Sequence, residues 1–125
     1  MEAVMTERAP APLGHYSQAI VHNGLIYVSG QLPIDPKNES GPIGSIEDQT
    51  RQTLANLEAI LSDNGSSKNH VLKVTIFISD ISLWAAANQV YADFFQDHRP
   101  ARSAVPVNDL PKGFQIEIEA IAAIA

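Results

Sequence analysis

No cysteine occurs among the 125 residues. Its absence removes disulfide scaffolds, thiolate nucleophiles and cysteine-ligated zinc together, and it fits a reducing compartment. Positive charge is scarce as well. Eight Lys and Arg stand against fourteen Asp and Glu, a formal net charge of −6, which disfavours a nucleic-acid partner held through its phosphates. No apolar run is long enough to span a bilayer, and the amino-terminal MEAVMTERAPAPLG carries an early Glu2 without a positively flanked apolar segment. The expectation is a cytoplasmic protein with no membrane partner. Missing too are the G-x-S-x-G elbow, the G-x-x-x-x-G-K-[ST] loop and G-x-G-x-x-G, so hydrolase-triad, nucleotide and dinucleotide readings lose their anchors. The histidines, His15, His22, His70 and His98, stand far apart, and none has the short spacing of a metal-ligand pair; no metal is expected. Repeats, linkers and low-complexity tracts are absent, and the length suits a single domain over residues 1–125.

What is present reads as an α+β pattern. The first dozen residues, with Pro10 and Pro12, read as an extended arm. Tyr16 to His22 and Leu25 to Gln31 flank Asn23-Gly24, the strongest short hairpin signal, because both central positions of a type I′ turn need positive φ. Ser45 with Asp48 marks a helix start, and Leu54, Leu57, Ile60 and Leu61 fall on one face of that helix before Asn64-Gly65 ends it. His70 to Ile78 predicts a strand with Leu72, Val74, Ile76 and Ile78 on its inner side. Trp84, Ala87, Val90, Tyr91 and Phe94 trace a second helix, closing near Arg99-Pro100. A short strand around Val105 and a longer one from Gln115 to Ala123 complete the chain.

The order predicts a sheet with two helices on one face. Its other face would carry Leu25, Tyr27, Ser29, Val71, Lys73, Thr75, Phe77, Glu117, Glu119, Ile121 and Ala123. That mixture is too apolar for a face open to water, so a second copy of the chain is the expected cover.

Two features carry candidate chemistry. In RPARSAVPV, residues 99–107, the small and β-branched residues suggest a strand that becomes buried, yet Arg102 cannot shed its charge. Its partner is either a neighbouring glutamate, which would make it structural, or an anionic ligand. In QIEIEAIAAIA, alternation places Glu117 and Glu119 on one sheet face about 6.5 to 7 Å apart. They form either a solvated edge or, at the apolar boundary near Glu119, a carboxylate able to hold a proton or orient a water.

Six segments, GHYSQAI, NGLIYVSGQLPIDP, DQTRQTLANLEAIL, NQVYADFF, RPARSAV and LPKGFQIEIEAIA, lie in order along nearly the whole chain and together resemble the Rid (YjgF-type) family of reactive intermediate deaminases. The resemblance implies a chorismate-mutase-like α+β fold, a mixed sheet of about six strands with two helices on one face, and a homotrimer around a central barrel. It implies cofactor-independent hydrolysis of 2-iminobutanoate, 2-iminopropanoate and enamines such as 2-aminoacrylate to 2-oxo acids and ammonia, in clefts between subunits. By the same resemblance Arg102 holds the substrate carboxylate, Glu119 positions or activates the water, Tyr16 lines the cleft, and Ser29, Gly30 and Asn88 shape it. His15 and Ala104 stand where the family often has proline and cysteine. The alternative function is a non-catalytic trimer that binds small carboxylates or regulates a partner; ribonuclease activity, also credited to the family, ranks third on charge.

Overall fold

Asn23 and Gly24 both take positive φ, 50° and 78°, in the computed structural model, which describes residues 1–125. The chain reverses there, as Asn-Gly predicts. In order the elements are β1 (Glu2–Val4), β2 (Ala19–His22), β3 (Leu25–Gln31), α1 (Ile46–Ser62), β4 (Val71–Ile78), α2 (Trp84–Phe95), β5 (Ala101–Pro106) and β6 (Ile116–Ala123). The six strands form one sheet in the order β1-β2-β3-β6-β4-β5. All neighbours are antiparallel except β4 and β5, which run parallel because α2 carries the chain across between them.

Both helices cover one face. Ile26, Val28, Val74, Ile76, Ile78, Ile116 and Ile118 from the sheet meet Leu54, Leu57, Ile60 and Leu61 of α1 and Ala87, Val90 and Tyr91 of α2 in one core. Ser45 caps α1 through its hydroxyl, which accepts from Asp48 N at 3.1 Å. The buried side of α1 also carries amides that fix neighbouring segments. Asn56 Nδ2 donates to the carbonyls of Leu32 and Ile34 at 3.1 and 2.9 Å, holding the chain where it leaves β3. Gln49 donates to Gln115 Oε1 and accepts from Gln115 N, both at 2.8 Å, anchoring the approach to β6. The two strands that bear the acidic groove described below are thus tied to the same helix.

Four expectations need correction. The amino-terminal arm contributes a strand: β1 pairs with β2, and the buried Gln18 amide then accepts from Thr6 N and donates to the carbonyls of Thr6 and Pro10. At the start of β4, Val71 pairs with Ala122 but Lys73 with Ile121, one residue extra on β4. This bulge turns Val71 into the core and leaves Leu72 48% exposed, the reverse of simple alternation. On α2 it is Phe95, not Phe94, that completes the buried stripe; the Phe94 ring packs edge-on against Phe95 at 4.8 Å. Finally, every residue of β5 is exposed in the single chain, because β5 is an edge strand and not an interior one.

Candidate functional site

Alternation along β6 buries Ile116, Ile118, Ala120 and Ala122 and sends Glu117 and Glu119 to the face without helices, opposite Phe77 and Thr75 of β4. On the other side of β6, Val28 pairs with Ala120 and Gln31 with Ile118, so three steps of β3 run against two of β6. The extra residue puts Ser29 and Gly30 beside Glu117. Gly30 is required there for space: a Cβ would lie 2.9 Å from Glu117 Cδ and would overlap its carboxylate oxygen. Ser29 ties this bulge to the preceding loop, its Oγ donating to Ser17 O at 2.6 Å and its N to Gln18 O at 3.0 Å. Tyr16 stands at the end of that loop, with its hydroxyl accepting from Leu13 N at 3.1 Å and its ring half exposed. Tyr16, Ser29, Gly30, Pro111, Glu117 and Glu119 line an open groove of about 540 Å³.

The two carboxylates differ. Burial against the bulge pushes the Glu117 pKa up from the ordinary carboxylate range, and the charge of Glu119 pushes it further. Glu119 itself is exposed. Alternation pairs Glu117 with Glu119 on this face, but the apolar boundary in the sequence points to Glu119 as the working carboxylate. The usable signal was Gly30, the small residue on the neighbouring strand, but its partner depends on a bulge that alternation does not reveal.

Arg102 lies elsewhere. It pairs with Val74 across the parallel register and therefore points to the helix-bearing face, at the sheet edge. Its Nη1 donates to Asn88 Oδ1 at 2.8 Å, and its Cζ lies 4.9 Å from the Trp84 ring centroid and 4.8 Å from that of Tyr91. The three ion pairs of the structure, Arg8 with Asp63, Arg51 with Asp48 and Lys68 with Glu58, leave Arg102 out. A glutamate partner, one of the two alternatives for this residue, is absent. Tyr91 is buried with its hydroxyl unpaired; burial raises its pKa, opposed in part by the Arg102 charge.

The predicted site residues thus fall into two groups. Tyr16, Ser29, Gly30 and Glu119 come together, with Glu117 added, on the open face; Arg102 and Asn88 come together on the helix side. One chain does not unite them. The groove offers carboxyl chemistry without an anion holder, and the guanidinium offers an anion holder without a base.

A mixed six-stranded sheet backed by two helices, with an acidic groove on its open face, defines a small α+β domain of the YjgF fold. The chain belongs to the family described as endoribonuclease L-PSP, the YjgF/Rid family, whose model matches residues 6–124. It is 50% identical over 121 residues to a RutC family protein of Pyrococcus horikoshii, covering 97% of this chain and 96% of that protein. It is 41% identical to a 2-iminobutanoate/2-iminopropanoate deaminase of Rattus norvegicus, covering 97% and 88%. Among solved structures, E. coli TdcF with bound serine superposes with a TM-score of 0.94 at 38% identity, covering 100% of both chains. No helix is long and apolar enough to cross a membrane.

Proposed function

We propose that this protein is a cofactor-independent imine deaminase, hydrolysing 2-iminopropanoate, 2-iminobutanoate and their enamine tautomers to 2-oxo acids and ammonia. The reaction is assigned to clefts of a homotrimer, where the groove of one copy meets the Arg102 side of the next. The observation that carries the proposal is the division of the site. A guanidinium with no carboxylate partner and a groove containing a carboxyl of raised proton affinity lie on opposite faces of one sheet, each incomplete alone. The imine deaminase among the relatives supports the chemistry.

Arg102 would hold the substrate carboxylate as a planar fork, and each hydrogen bond to a charged group contributes about 1.5 to 3 kcal/mol. The imine carbon then faces Glu117. Water adds to that carbon while Glu117 accepts one of its protons and passes it to the nitrogen, giving the carbinolamine; Glu117 then takes the hydroxyl proton and delivers it to the amine, so that ammonia departs as the carbonyl forms. A carboxyl whose proton affinity is raised by burial and by the neighbouring Glu119 charge suits both halves of this transfer. The water-handling step is therefore proposed for Glu117, with Glu119, the residue expected from the resemblance, as the neighbouring charge that sustains its proton affinity. Tyr16 and Ser29 would shape the groove, and Asn88 would hold the clamp.

The serine bound to TdcF favours one second reading, capture of a small amino or oxo acid without turnover. Cleavage of RNA finds no support in a groove whose two ionisable residues beyond Tyr16 are both acids. The deciding experiment generates 2-aminoacrylate in situ with a serine dehydratase and follows pyruvate release. Acceleration by this protein, lost in Arg102→Ala, is the expected result. No acceleration, with pyruvate still bound, would leave the binding reading.

A further inference from the structure

Trp84, Asn88 and Tyr91 are spaced i, i+4 and i+7 on α2, so the helix presents them as one stripe. All three touch Arg102: Asn88 by a hydrogen bond of 2.8 Å, the two rings by their faces at 4.9 and 4.8 Å from Cζ. We propose that Trp84 and Tyr91 form an aromatic cradle that, with Asn88, sets the direction of the Arg102 fork, making them positioning residues for the substrate's carboxylate. This rests on the reading of Arg102 as the carboxylate clamp.

The choice of partners is what points to a clamp held ready. A carboxylate beside Arg102 would have occupied its in-plane N–H groups and cancelled its charge. An aromatic face attracts the cation through the flat side of the guanidinium and consumes no donor. Asn88 supplies a neutral acceptor for one of the five N–H groups. The remaining donors and the full positive charge stay available. An exposed arginine on an edge strand would otherwise spread over many rotamers, and ordering it would weaken every anion it binds. Tyr91 is a firm floor because its own ring is packed against Phe95 at 4.8 Å in the core. Trp84, half-buried at the first turn of α2, is the removable wall.

Trp84 is also the single tryptophan of the chain, so its fluorescence reports on the guanidinium directly. The test titrates the full-length protein with 2-oxobutanoate, using calorimetry for Kd and Trp84 emission as a second readout, with Arg102→Ala as the blank for trivial quenching. Parent emission is expected to change on binding beyond that blank. Trp84→Ala should bind roughly three- to tenfold more weakly, the order of a partly exposed cation–π contact. Its KM should rise by the same factor with kcat within about twofold, since the anion is held equally in substrate and transition state. Trp84→Phe should recover most of the loss, because an aromatic face again meets the guanidinium. Parent-like binding by Trp84→Ala while Arg102→Ala has lost binding would overturn the cradle and leave the clamp. Parent-like binding by Arg102→Ala would overturn both. Should Trp84→Ala not fold, the emission titration decides: no change at saturating 2-oxobutanoate overturns the cradle.

Discussion

Replacing Gly30 by alanine is expected to disable the groove while leaving the fold nearly as stable as before. The new methyl group would sit 2.9 Å from Glu117 Cδ and overlap the carboxylate oxygen, so the carboxyl must swing away. That carboxyl is the free end of a flexible side chain. Moving it off its preferred rotamer costs about 0.5 to 1.5 kcal/mol. Gly30 is not among the glycines with positive φ, so alanine meets no backbone strain. Restricting the unfolded chain by a glycine-to-alanine change stabilises by about 0.4 to 1 kcal/mol. The two terms oppose each other at similar size, and the net change stays within about 1 kcal/mol, a Tm shift of no more than about 4 °C for a chain of this length.

Turnover should respond quite differently. General acid–base assistance is worth about 10²- to 10⁴-fold, and a displaced Glu117 forfeits most of it. In the coupled 2-aminoacrylate assay, Gly30→Ala and Glu117→Gln should each lose activity in that range. The double variant should lose little more than either alone, because both remove the same group. Full activity in a folded Gly30→Ala protein would refute the assignment of Glu117. A further large loss in the double variant would show that Gly30 acts through something other than this carboxyl.

Glu119→Gln should slow hydrolysis less than Glu117→Gln and, by removing a neighbouring negative charge, move the acidic limb of the pH–rate profile to lower pH; the opposite ranking of the two variants would return the water to Glu119. Asp63 is held at a pKa of about 2 by its hydrogen bond with Arg8, then Thr6, so its contribution to stability is complete above the ordinary carboxylate pKa and fades as pH falls toward about 2. The Tm gap between parent and Asp63→Asn should therefore narrow between pH 4 and pH 2, and a gap constant over that range refutes the coupling. Ala104→Cys should leave turnover within a few-fold, since no step uses a thiol; a hundredfold change in either direction would show a role for position 104. Sedimentation should give a trimer, and a stable monomer at micromolar concentration would remove the shared cleft.

The hairpin, the Ser45 cap and the apolar stripes of the helices were legible because each is decided within a few residues. Asn23-Gly24 needs only its own φ angles, and Ser45 needs only Asp48 N. What misled were positions where another strand decides. Leu72 and Val71 exchange faces because β4 carries one residue more than β6 there, and nothing in VLKVTIFI marks the bulge. Glu2–Val4 is too short to show alternation, and it becomes a strand only because β2 has a free edge. Phe94 and Phe95 are one helical step apart, about 100°, so the sequence stripe could end on either.

Arg102 shows the same limit at the site itself. Composition marks a guanidinium among small residues, but the inference from "strand" to "buried" assumes an interior strand. The parallel crossover through α2 puts β5 at the edge instead, where burial must come from another copy or not at all. The same crossover brings Trp84, Asn88 and Tyr91 under Arg102 and turns it away from Glu117 and Glu119. An arginine placed beside those glutamates within its own chain would have been neutralised before any ligand arrived. Kept on the opposite face, it retains its charge, and the two groups can meet only where a second molecule supplies one of them.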